Sequence, residues 1–344
     1  MSHSVAVLGA TGLVGRTVLA ILEERRFPVR ELRLLASDRS GSRALTFSGR
    51  SHAVNPVAAE SFAGIDLALF ACANDVSSVW APVAVEQGAR VVDNSSAFRY
   101  HDDVPLVVPE VNGERLDAQP RLVANPNCST IAIVMALAAL ERAVGLERVQ
   151  VATYQSASGG GSEALEQLEQ GVRDGLDDDP PPRAGGLPAF AFNVVPQIDR
   201  FEDNGYTREE MKIVWETRKI LGRPDLAVTA TAVRVPVRVG HGAAVHVTLR
   251  RPLSPAEARE RWAESPGIEV VDEPARGRFP TPLAGAGRDA VLVGRTRSDL
   301  DDPRGLLFFV VSDNLRKGAA TNAVQIAERL AGVTAPLARA GGDR

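Results

Sequence analysis

Cysteine is scarce in this chain of 344 residues: only Cys72 and Cys128 occur, too few for a secreted fold held by disulfides. The chain also lacks a large excess of one charge, because its 39 Lys and Arg residues nearly balance its 43 Asp and Glu residues. The net charge of -4 offers no basic face to a phosphate backbone, so no nucleic-acid partner is expected. The apolar run Ile131 to Leu140 is about half of the ~20 residues needed to cross a bilayer, and no basic export signal precedes the first strand. We expect a cytoplasmic protein with a small-molecule ligand and no membrane segment.

The chain does contain alternating strand and helix patterns in its first third. The stretch "VAVLGATGLVG" is typical of a strand that ends in a glycine turn, and "LVGRTVLAILEER" continues with helical spacing. Further buried strands are predicted at "ELRLLAS", "IDLALFACA", "ARVVDNSS" and "RLVANPN", with helical stretches such as Val76 to Glu86 between them. Strands that alternate with helices predict a Rossmann-type parallel sheet, and the class is therefore α/β.

The pattern changes after about residue 150. Long alternating strands are predicted at "LAVTATAVRVPVRVG", "AAVHVTLRRPL", "AVLVGRTRS" and "GLLFFVVSD", and helices at Gly161–Asp174, Thr207–Leu221 and Pro255–Glu264. This predicts a second, α+β domain with a mostly antiparallel sheet. We place the first domain at 1–127, completed by a helix at 317–332, and the second at 128–316. The acidic and proline-rich stretch 174–186 is expected to be an exposed excursion, and 333–344 a loose tail.

The glycines of "GATGLVG" form the first chemical motif. Gly9, Gly12 and Gly15 follow a strand and open a helix, where backbone N–H groups and the helix dipole favour a pyrophosphate. The spacing differs from G-x-G-x-x-G, and a turn without any ligand is the alternative. The predicted cofactor contacts in this loop are Gly9, Thr11, Gly12, Leu13, Val14 and Gly15.

The end of the second strand discriminates between NAD and NADP. An acidic residue there binds a ribose hydroxyl, whereas an arginine accepts the additional phosphate of NADP. Ser37, Arg39 and Ser40 offer donors, with Arg43 a further candidate, although Asp38 among them opposes a phosphate. We predict NADP; the alternative is that Arg39 is a solvated loop charge.

Cys128 lies in "NPNCSTIAIVMALAALERAVG", where a Pro-Asn turn precedes a predicted buried helix. A sulfur at a helix N-terminus is held where the dipole favours a thiolate, and the free N–H groups can stabilise an oxyanion. Taken alone, a buried structural cysteine is an equally good interpretation. Cys72, within the predicted strand "LALFACA", fits that structural interpretation better.

A thiolate nucleophile needs a base, and the chain carries five histidines. In "LAVTATAVRVPVRVG" valines at odd positions form one face, so that Arg234 and Arg238 point to the other. His241 follows on this predicted strand between two glycines, at a bend where a ligand can approach. His246 is typical of a strand residue with a local partner. Spacing alone does not decide whether His241 is catalytic or structural.

Taken together, these motifs resemble those of the bacterial aspartate-semialdehyde dehydrogenases through nearly the whole chain. The shared stretches, in order, are "GATGLVG", "DNSSAFR", "VPEVN", "NPNCSTI", "YQSASGGG", "TREEMKIVWETRKI", "RVPVRVGH" and "DNLRKGAATNAVQIAE". The resemblance implies that Cys128 is the nucleophile, that His241 is the acid/base and that Gln155 orients the reacting groups. It also implies NADPH-dependent reduction of L-aspartyl 4-phosphate toward lysine, threonine, methionine and isoleucine. Members form homodimers through the second domain, so the resemblance also implies a homodimer. It implies no metal ion.

The remaining site residues are carried over from the same resemblance. Arg234 is implied to bind the substrate carboxylate and Glu209 the substrate amino group, while a surface ion pair on an exposed helix is the alternative for Glu209 and Lys212. The other implied substrate and phosphate residues are Arg99, Lys212 and Asn127, and the other implied cofactor residues are Ser158, Gly159 and Asn314. The turn "FACAND" departs from the family's serine and glycine-rich pattern.

Two alternatives to this function remain open from the sequence. N-acetyl-γ-glutamyl-phosphate reductase shares the chemistry but is expected to carry an aromatic residue after the cysteine, where this chain has Ser129. A catalytically inactive relative that binds nucleotide is expected to lose the nucleophile or the base, and both residues are present here.

Overall fold

The structure, a computed structural model, describes residues 2–37, 43–174, 189 and 191–333. These residues divide into two compact units. The first unit contains the described residues up to Asn127 and from Gly318 onwards, and the second contains those from Cys128 to Lys317. The predicted excursion beyond Asp174 and all of the predicted tail except Val333 lie outside the described residues.

The first unit is built on one sheet. Its strands are β1 (His3–Leu8), β2 (Val29–Ala36), β3 (Ala44–Phe47), β4 (Arg50–Pro56), β5 (Leu67–Phe70), β6 (Arg90–Asp93) and β7 (Leu122–Ala124). They lie in the order β3-β4-β2-β1-β5-β6-β7, and all neighbours are parallel except β3 and β4. Helices α1 (Leu13–Glu24), α2 (Asn74–Glu86) and α3 (Pro109–Asn112) connect them. β1 from Val5 onwards and all of β5 are apolar and buried, as expected for a parallel sheet covered on both faces.

The second unit begins with the helix α4 (Cys128–Val144). Its other helices are α5 (Gly161–Arg173), α6 (Arg208–Leu221), α7 (Pro255–Ala263) and α8 (Pro282–Gly285). Its strands are β8 (Leu146–Gln155), β9 (Ala227–Arg234), β10 (His241–Leu249), β11 (Ile268–Val270), β12 (Val291–Ser298) and β13 (Gly305–Ser312). The sheet order is β11-β12-β13-β10-β8-β9. Pairings around β10 and between β12 and β13 are antiparallel, whereas β8–β9 and β11–β12 are parallel.

The last helix, α9 (Thr321–Leu330), belongs to the first unit. Its apolar residues, including Val324 and Ile326, are fully buried in that unit's core. Glu328 forms an ion pair with Arg25, the residue that follows α1, with 2.7 Å between its Oε2 atom and Nη2 of the arginine. The two units and their sheets confirm the predicted fold class.

The predicted strand over "LAVTATAVRVPVRVG" is wrong in its second half. β9 ends at Arg234, and Val235 to Gly240 form an irregular connection before β10 starts at His241. The alternation of valines continues, but Pro236 has no N–H group to donate to a neighbouring strand. Gly240 then adopts a positive φ of 94°, which favours glycine and turns the chain into β10.

Candidate active site

Cys128 is the first residue of α4 and is partly exposed. The helix is anchored because every residue from Ser129 to Leu140 is buried, which fixes the position of its N-terminal end. The Sγ atom of Cys128 lies 3.3 Å from Nε2 of His241. The sequence prediction that the sulfur stands at a helix N-terminus is confirmed, and the structure adds an imidazole within hydrogen-bonding distance of it.

His241 is buried at the start of β10, with 3% of its surface exposed. Its Nδ1 atom accepts a hydrogen bond of 3.1 Å from the backbone N–H of Ser156, whose Oγ atom lies 3.0 Å from the same nitrogen. The pKa of His241 is lowered to about 3, first by burial and then by the charge of Arg234, while Glu209 partly opposes the shift. The imidazole is therefore neutral at neutral pH.

A chain of polar side chains leads from Gln155 into α6. Nε2 of Gln155 donates to Oε1 of Glu209 at 3.0 Å, and Thr153 donates to Oε1 of Gln155 at 3.0 Å. Nζ of Lys212 lies 3.0 Å from Glu209 and 2.8 Å from Asp199. Burial lowers the pKa of Lys212, but the two carboxylates outweigh it and the net shift is upward, so the lysine is charged. Glu209 and Lys212 lie on one face of α6, as their spacing of three residues predicts, but both side chains are largely buried.

Arg234 ends β9 and is buried beside the same cluster. Its Nη1 atom donates to the backbone oxygen of Ser156 at 2.5 Å. Burial lowers the pKa of Arg234, while the charges of Glu209 and Cys128 oppose that shift. A Cβ atom at position 159 would lie 3.0 Å from the His241 ring and 3.1 Å from Nη1 of Arg234. Gly159 therefore lets the turn after Gln155 approach both side chains.

The glycine turn after β1 fits the phosphates of a dinucleotide. Gly9 has a φ of 85°, and a Cβ there would lie 2.2 Å from the Ala71 oxygen. A Cβ at Gly15 would lie 2.2 Å from the Gly9 oxygen. At Gly12 the nearest atom would be 3.5 Å away, an ordinary contact, so the packing of the chain itself does not require a glycine there. No side chain caps the N-terminus of α1. Its first N–H groups point where an anion is favoured.

Comparisons with known proteins match both units. The model of the semialdehyde dehydrogenase NAD binding domain matches residues 4–119, and that of the semialdehyde dehydrogenase dimerisation domain matches residues 137–317. Aspartate-semialdehyde dehydrogenase of Legionella pneumophila is 50% identical over 95% of each chain. The enzyme of Aquifex aeolicus is 48% identical over 96% of this chain and 98% of its own. The chain belongs to the aspartate-semialdehyde dehydrogenase family.

Solved structures agree with this family membership. Aspartate semialdehyde dehydrogenase II of Vibrio cholerae superimposes with a TM-score of 0.93 at 46% identity, over 96% of this chain and 99% of that one. A second structure of the Vibrio protein is described as a complex with ASA. Membership confirms the resemblance seen in the motifs and makes the chain an NAD(P)-dependent oxidoreductase. It does not favour the acetylglutamyl-phosphate reductase alternative.

The second unit holds most of the predicted family residues in two hydrogen-bonded groups, which together form the candidate cluster. One group connects Cys128, Ser158, Arg234, His241 and Asn314 through Ser156, and the other connects Gln155, Glu209 and Lys212. Within the first unit, Arg99 is buried and its Nη2 donates to the backbone oxygen of Asn94 at 2.6 Å. Asn127 is buried at the end of that unit. The contacts of these residues with substrate and cofactor remain predictions.

The predicted NADP contacts after β2 are only partly visible. Ser37 is exposed directly after the strand, whereas Arg39 and Ser40 lie outside the described residues. Cys72 is not inside a strand as predicted, because β5 ends at Phe70 and Cys72 lies two residues beyond it, partly buried. Its pKa is raised to about 12, first by burial and then by the charges of Asp93 and Asp75.

Sequence reasoning missed three members of the cluster. Ser156 lies within the motif "YQSASGGG", whose family signal could have identified it, and its contact with His241 depends on the fold. Thr153, on β8, orients Gln155 two residues away on the same face of the strand. Asp199 reaches Lys212 from an irregular segment that carries no recognisable sequence signal.

The described ranges contain neither a membrane-spanning helix nor a cluster of metal ligands. No helix within residues 2–37, 43–174 and 191–333 combines the length and the apolar character needed to cross a membrane. In the same part of the chain, no group of three or more His, Cys, Asp and Glu side chains is arranged to hold a metal ion.

Proposed function

We propose that this chain catalyses the reversible NADPH-dependent reduction of L-aspartyl 4-phosphate to L-aspartate 4-semialdehyde and phosphate, through a thioester on Cys128. The observation that carries this proposal is the 3.3 Å approach of Cys128 Sγ to Nε2 of a buried His241. The sulfur stands at the N-terminus of α4, where the dipole favours a thiolate. Family membership supplies the substrate class, because the similar proteins bear the aspartate-semialdehyde dehydrogenase name.

In the oxidative direction the Cys128 thiolate attacks the aldehyde carbon, forming a C–S bond while the carbonyl electron pair moves to oxygen. Nε2 of His241, 3.3 Å from the sulfur, is placed to hydrogen-bond that oxygen. A nicotinamide cofactor held by the glycine turn after β1 would supply the hydride acceptor, and loss of a hydride from the attacked carbon would leave a thioester on Cys128. A phosphate oxygen then attacks the thioester carbon and the thiolate departs.

The charged residues around this pair suit the two charges of an amino acid. Arg234 offers a guanidinium fork to the carboxylate, and its burial strengthens such a bond. Glu209 accepts from Gln155 and Lys212, and its carboxylate is the proposed partner of the substrate ammonium group. Phosphate is assigned to Arg99 and Lys212, and a further substrate contact to Asn127, on the family resemblance.

NADP is the proposed cofactor within the NAD(P) class that the family model supports. Ser37, Arg39 and Ser40 would bind the additional phosphate, and the uncapped N-terminus of α1 would bind the pyrophosphate. Substitution of Arg39 by Asp is expected to raise the KM for NADP by about tenfold or more while sparing NAD. An unchanged ratio of the two KM values would contradict the role of Arg39.

A homodimer formed through the second unit is the proposed assembly. The matching family model is that of a dimerisation domain. One face of the second sheet carries a depression of about 550 Å³, lined by strand residues including Ala152, Thr231, Ala244 and Leu307. We further propose that the enzyme works in the cytoplasm, in the biosynthesis of lysine, threonine, methionine and isoleucine.

The test is NADPH formation from aspartate semialdehyde, phosphate and NADP, followed by absorbance. Wild-type protein should turn over only when phosphate is present. Cys128→Ala should lose at least about 10³-fold in kcat, because the nucleophile is gone. Cys72→Ala is the matched control and should retain turnover. A Cys128→Ala protein as active as Cys72→Ala would refute the proposal.

A further inference from the structure

We propose that Asn314, Ser158 and Ser156 are positioning residues that hold His241 as the tautomer protonated on Nε2, so that it meets Cys128 as a hydrogen-bond donor. This inference rests on the proposed function and deepens it, because it assigns the direction of the hydrogen bond at the reacting sulfur. The four groups besides Cys128 all lie in the second unit and are buried.

The orientation of the Asn314 amide is fixed by a backbone group. The N–H of Gly240 donates to Oδ1 of Asn314 at 2.9 Å, and a backbone N–H can only donate. The oxygen must therefore face Gly240. This leaves the amide nitrogen facing Ser158, to which Nδ2 donates at 2.9 Å.

The two serines relay this direction to the histidine. Because Ser158 Oγ accepts from Asn314, its own proton is available for Ser156 Oγ at 3.1 Å. Ser156 Oγ in turn lies 3.0 Å from Nδ1 of His241. Both hydroxyls also lie 3.1 Å from Oδ1 of Asn314, so the hydroxyls by themselves could point either way.

The backbone N–H of Ser156 removes that ambiguity. It donates to Nδ1 of His241 at 3.1 Å and cannot accept a proton in return. Nδ1 must therefore carry a lone pair, and the single proton of a neutral imidazole is on Nε2, which is 3.3 Å from Cys128 Sγ. An imidazolium would set two N–H groups against each other at Nδ1.

The charges that face His241 also keep it neutral. Arg234 of β9 disfavours a second proton and Glu209 of α6 favours one, while burial disfavours it most strongly. The pKa of His241 at about 3 is consistent with the geometry.

The tautomer determines what His241 does at the sulfur of Cys128. A donor at Nε2 stabilises the Cys128 thiolate and then the oxyanion formed when the carbonyl is attacked. This differs from the acid/base role that the family resemblance implies for His241, because the thiol proton then passes to water before the attack and not to the imidazole. The histidine then works without a change of protonation state in the C–S bond-forming step.

The test is NMR of the full-length protein with ¹⁵N-labelled histidine, with His241→Asn used to assign the signals. We expect Nδ1 of His241 to show the shift of an unprotonated nitrogen and Nε2 that of an N–H, unchanged between about pH 6 and 8. A spectrum of an Nδ1–H tautomer or an imidazolium in that range would overturn the proposal. The readout needs no turnover, so it is independent of the assay for the proposed function.

Asn314→Asp reverses the relay with little change of shape. A carboxylate still accepts from Gly240 but cannot donate to Ser158, so both hydroxyl protons turn toward it and Ser156 Oγ presents a lone pair to Nδ1. We expect the neutral imidazole to keep its proton on Nε2, because the backbone N–H of Ser156 still donates to Nδ1. The titration of His241 should move to higher pH, because Ser156 Oγ no longer donates to Nδ1 and the new carboxylate favours an imidazolium. A folded Asn314→Asp protein that titrates as the wild type does would contradict the relay.

Discussion

The two cysteines of the chain illustrate how single residues acquire different chemistry. Cys128 stands at the N-terminus of a 17-residue helix with an imidazole 3.3 Å from its sulfur. Cys72 follows β5 near Asp93 and Asp75, whose charges and the burial of the thiol raise its pKa to about 12. Only the first environment favours a thiolate at neutral pH.

This contrast predicts selective alkylation. Iodoacetamide at about pH 8 should modify Cys128 first, because Cys72 with a pKa near 12 is almost fully protonated there. Peptide mass spectrometry would locate the label. Cys128→Ala should take up almost none over the same period, and Cys72→Ala should label as the wild type does. Preferential labelling of Cys72 would contradict the assigned environments.

Sequence alone could predict these residues in part. The Pro-Asn turn and the apolar run placed Cys128 at a helix start, which the structure confirms. The partner of the sulfur could not be predicted from spacing, because 113 residues separate Cys128 from His241. The hydrogen bond of Ser156 to His241 depends on how β8 and β10 pair, a contact between segments 85 residues apart.

Among the elements, α6 matters most for the site because it carries Glu209 and Lys212. Its N-terminus is a capping box: the Thr207 side chain accepts from the N–H of Glu210, and Glu210 accepts from the N–H of Thr207 at 2.6 Å. The other oxygen of Glu210 accepts from the N–H of Ala232 at 2.9 Å and so ties the helix to β9.

Thr207→Ala is expected to lower the free energy of unfolding by about 1 kcal/mol, through loss of the cap. It should also raise the KM for aspartate semialdehyde, since the helix start carries Glu209. Ser254→Ala removes the same capping box from α7, which carries none of the proposed site residues, and serves as the control. Urea denaturation and steady-state kinetics measure both. Equal KM changes in the two variants would contradict the role of α6.

Elements with a strong apolar pattern were predicted well, and strands that are mostly exposed were not. The predicted helix Thr207–Leu221 corresponds to α6, because a capping signal and a long amphipathic pattern coincide there. The strand continued through Pro236 was wrong, since alternation does not show where a backbone donor is missing. β3 and β4 were missed because they are mostly exposed and contain no apolar run; Phe47 and Val54 are their only buried residues.

At the scale of the whole molecule, the second sheet has an outward face that the described residues do not cover completely. β8 and β10 alternate between buried positions and partly exposed ones such as Ala152 and Ala244, which are neighbours in the sheet. Tyr154, with 38% of its surface exposed, extends this face. We propose that a second copy of the chain packs against this face of the sheet.

A charge on this face should prevent dimer formation. Ala244→Asp would bury an unpaired carboxylate in the proposed interface, at a cost of several kcal/mol. Sedimentation velocity should show a dimer for the wild type and a monomer for this variant. Ala256→Asp, at an exposed position in the first turn of α7, is the control and should remain dimeric. An Ala244→Asp dimer of unchanged stability would place the interface elsewhere.

The proposed thioester can be tested in a single turnover without phosphate. Protein mixed with aspartate semialdehyde and NADP should give a rapid burst of about one NADPH per chain, because the thioester then lacks its acceptor. Intact-mass and peptide spectrometry should find an aspartyl group on Cys128, and added phosphate should release it. Rapid multiple turnovers without phosphate, or an acyl group on any residue other than Cys128, would contradict the thioester mechanism.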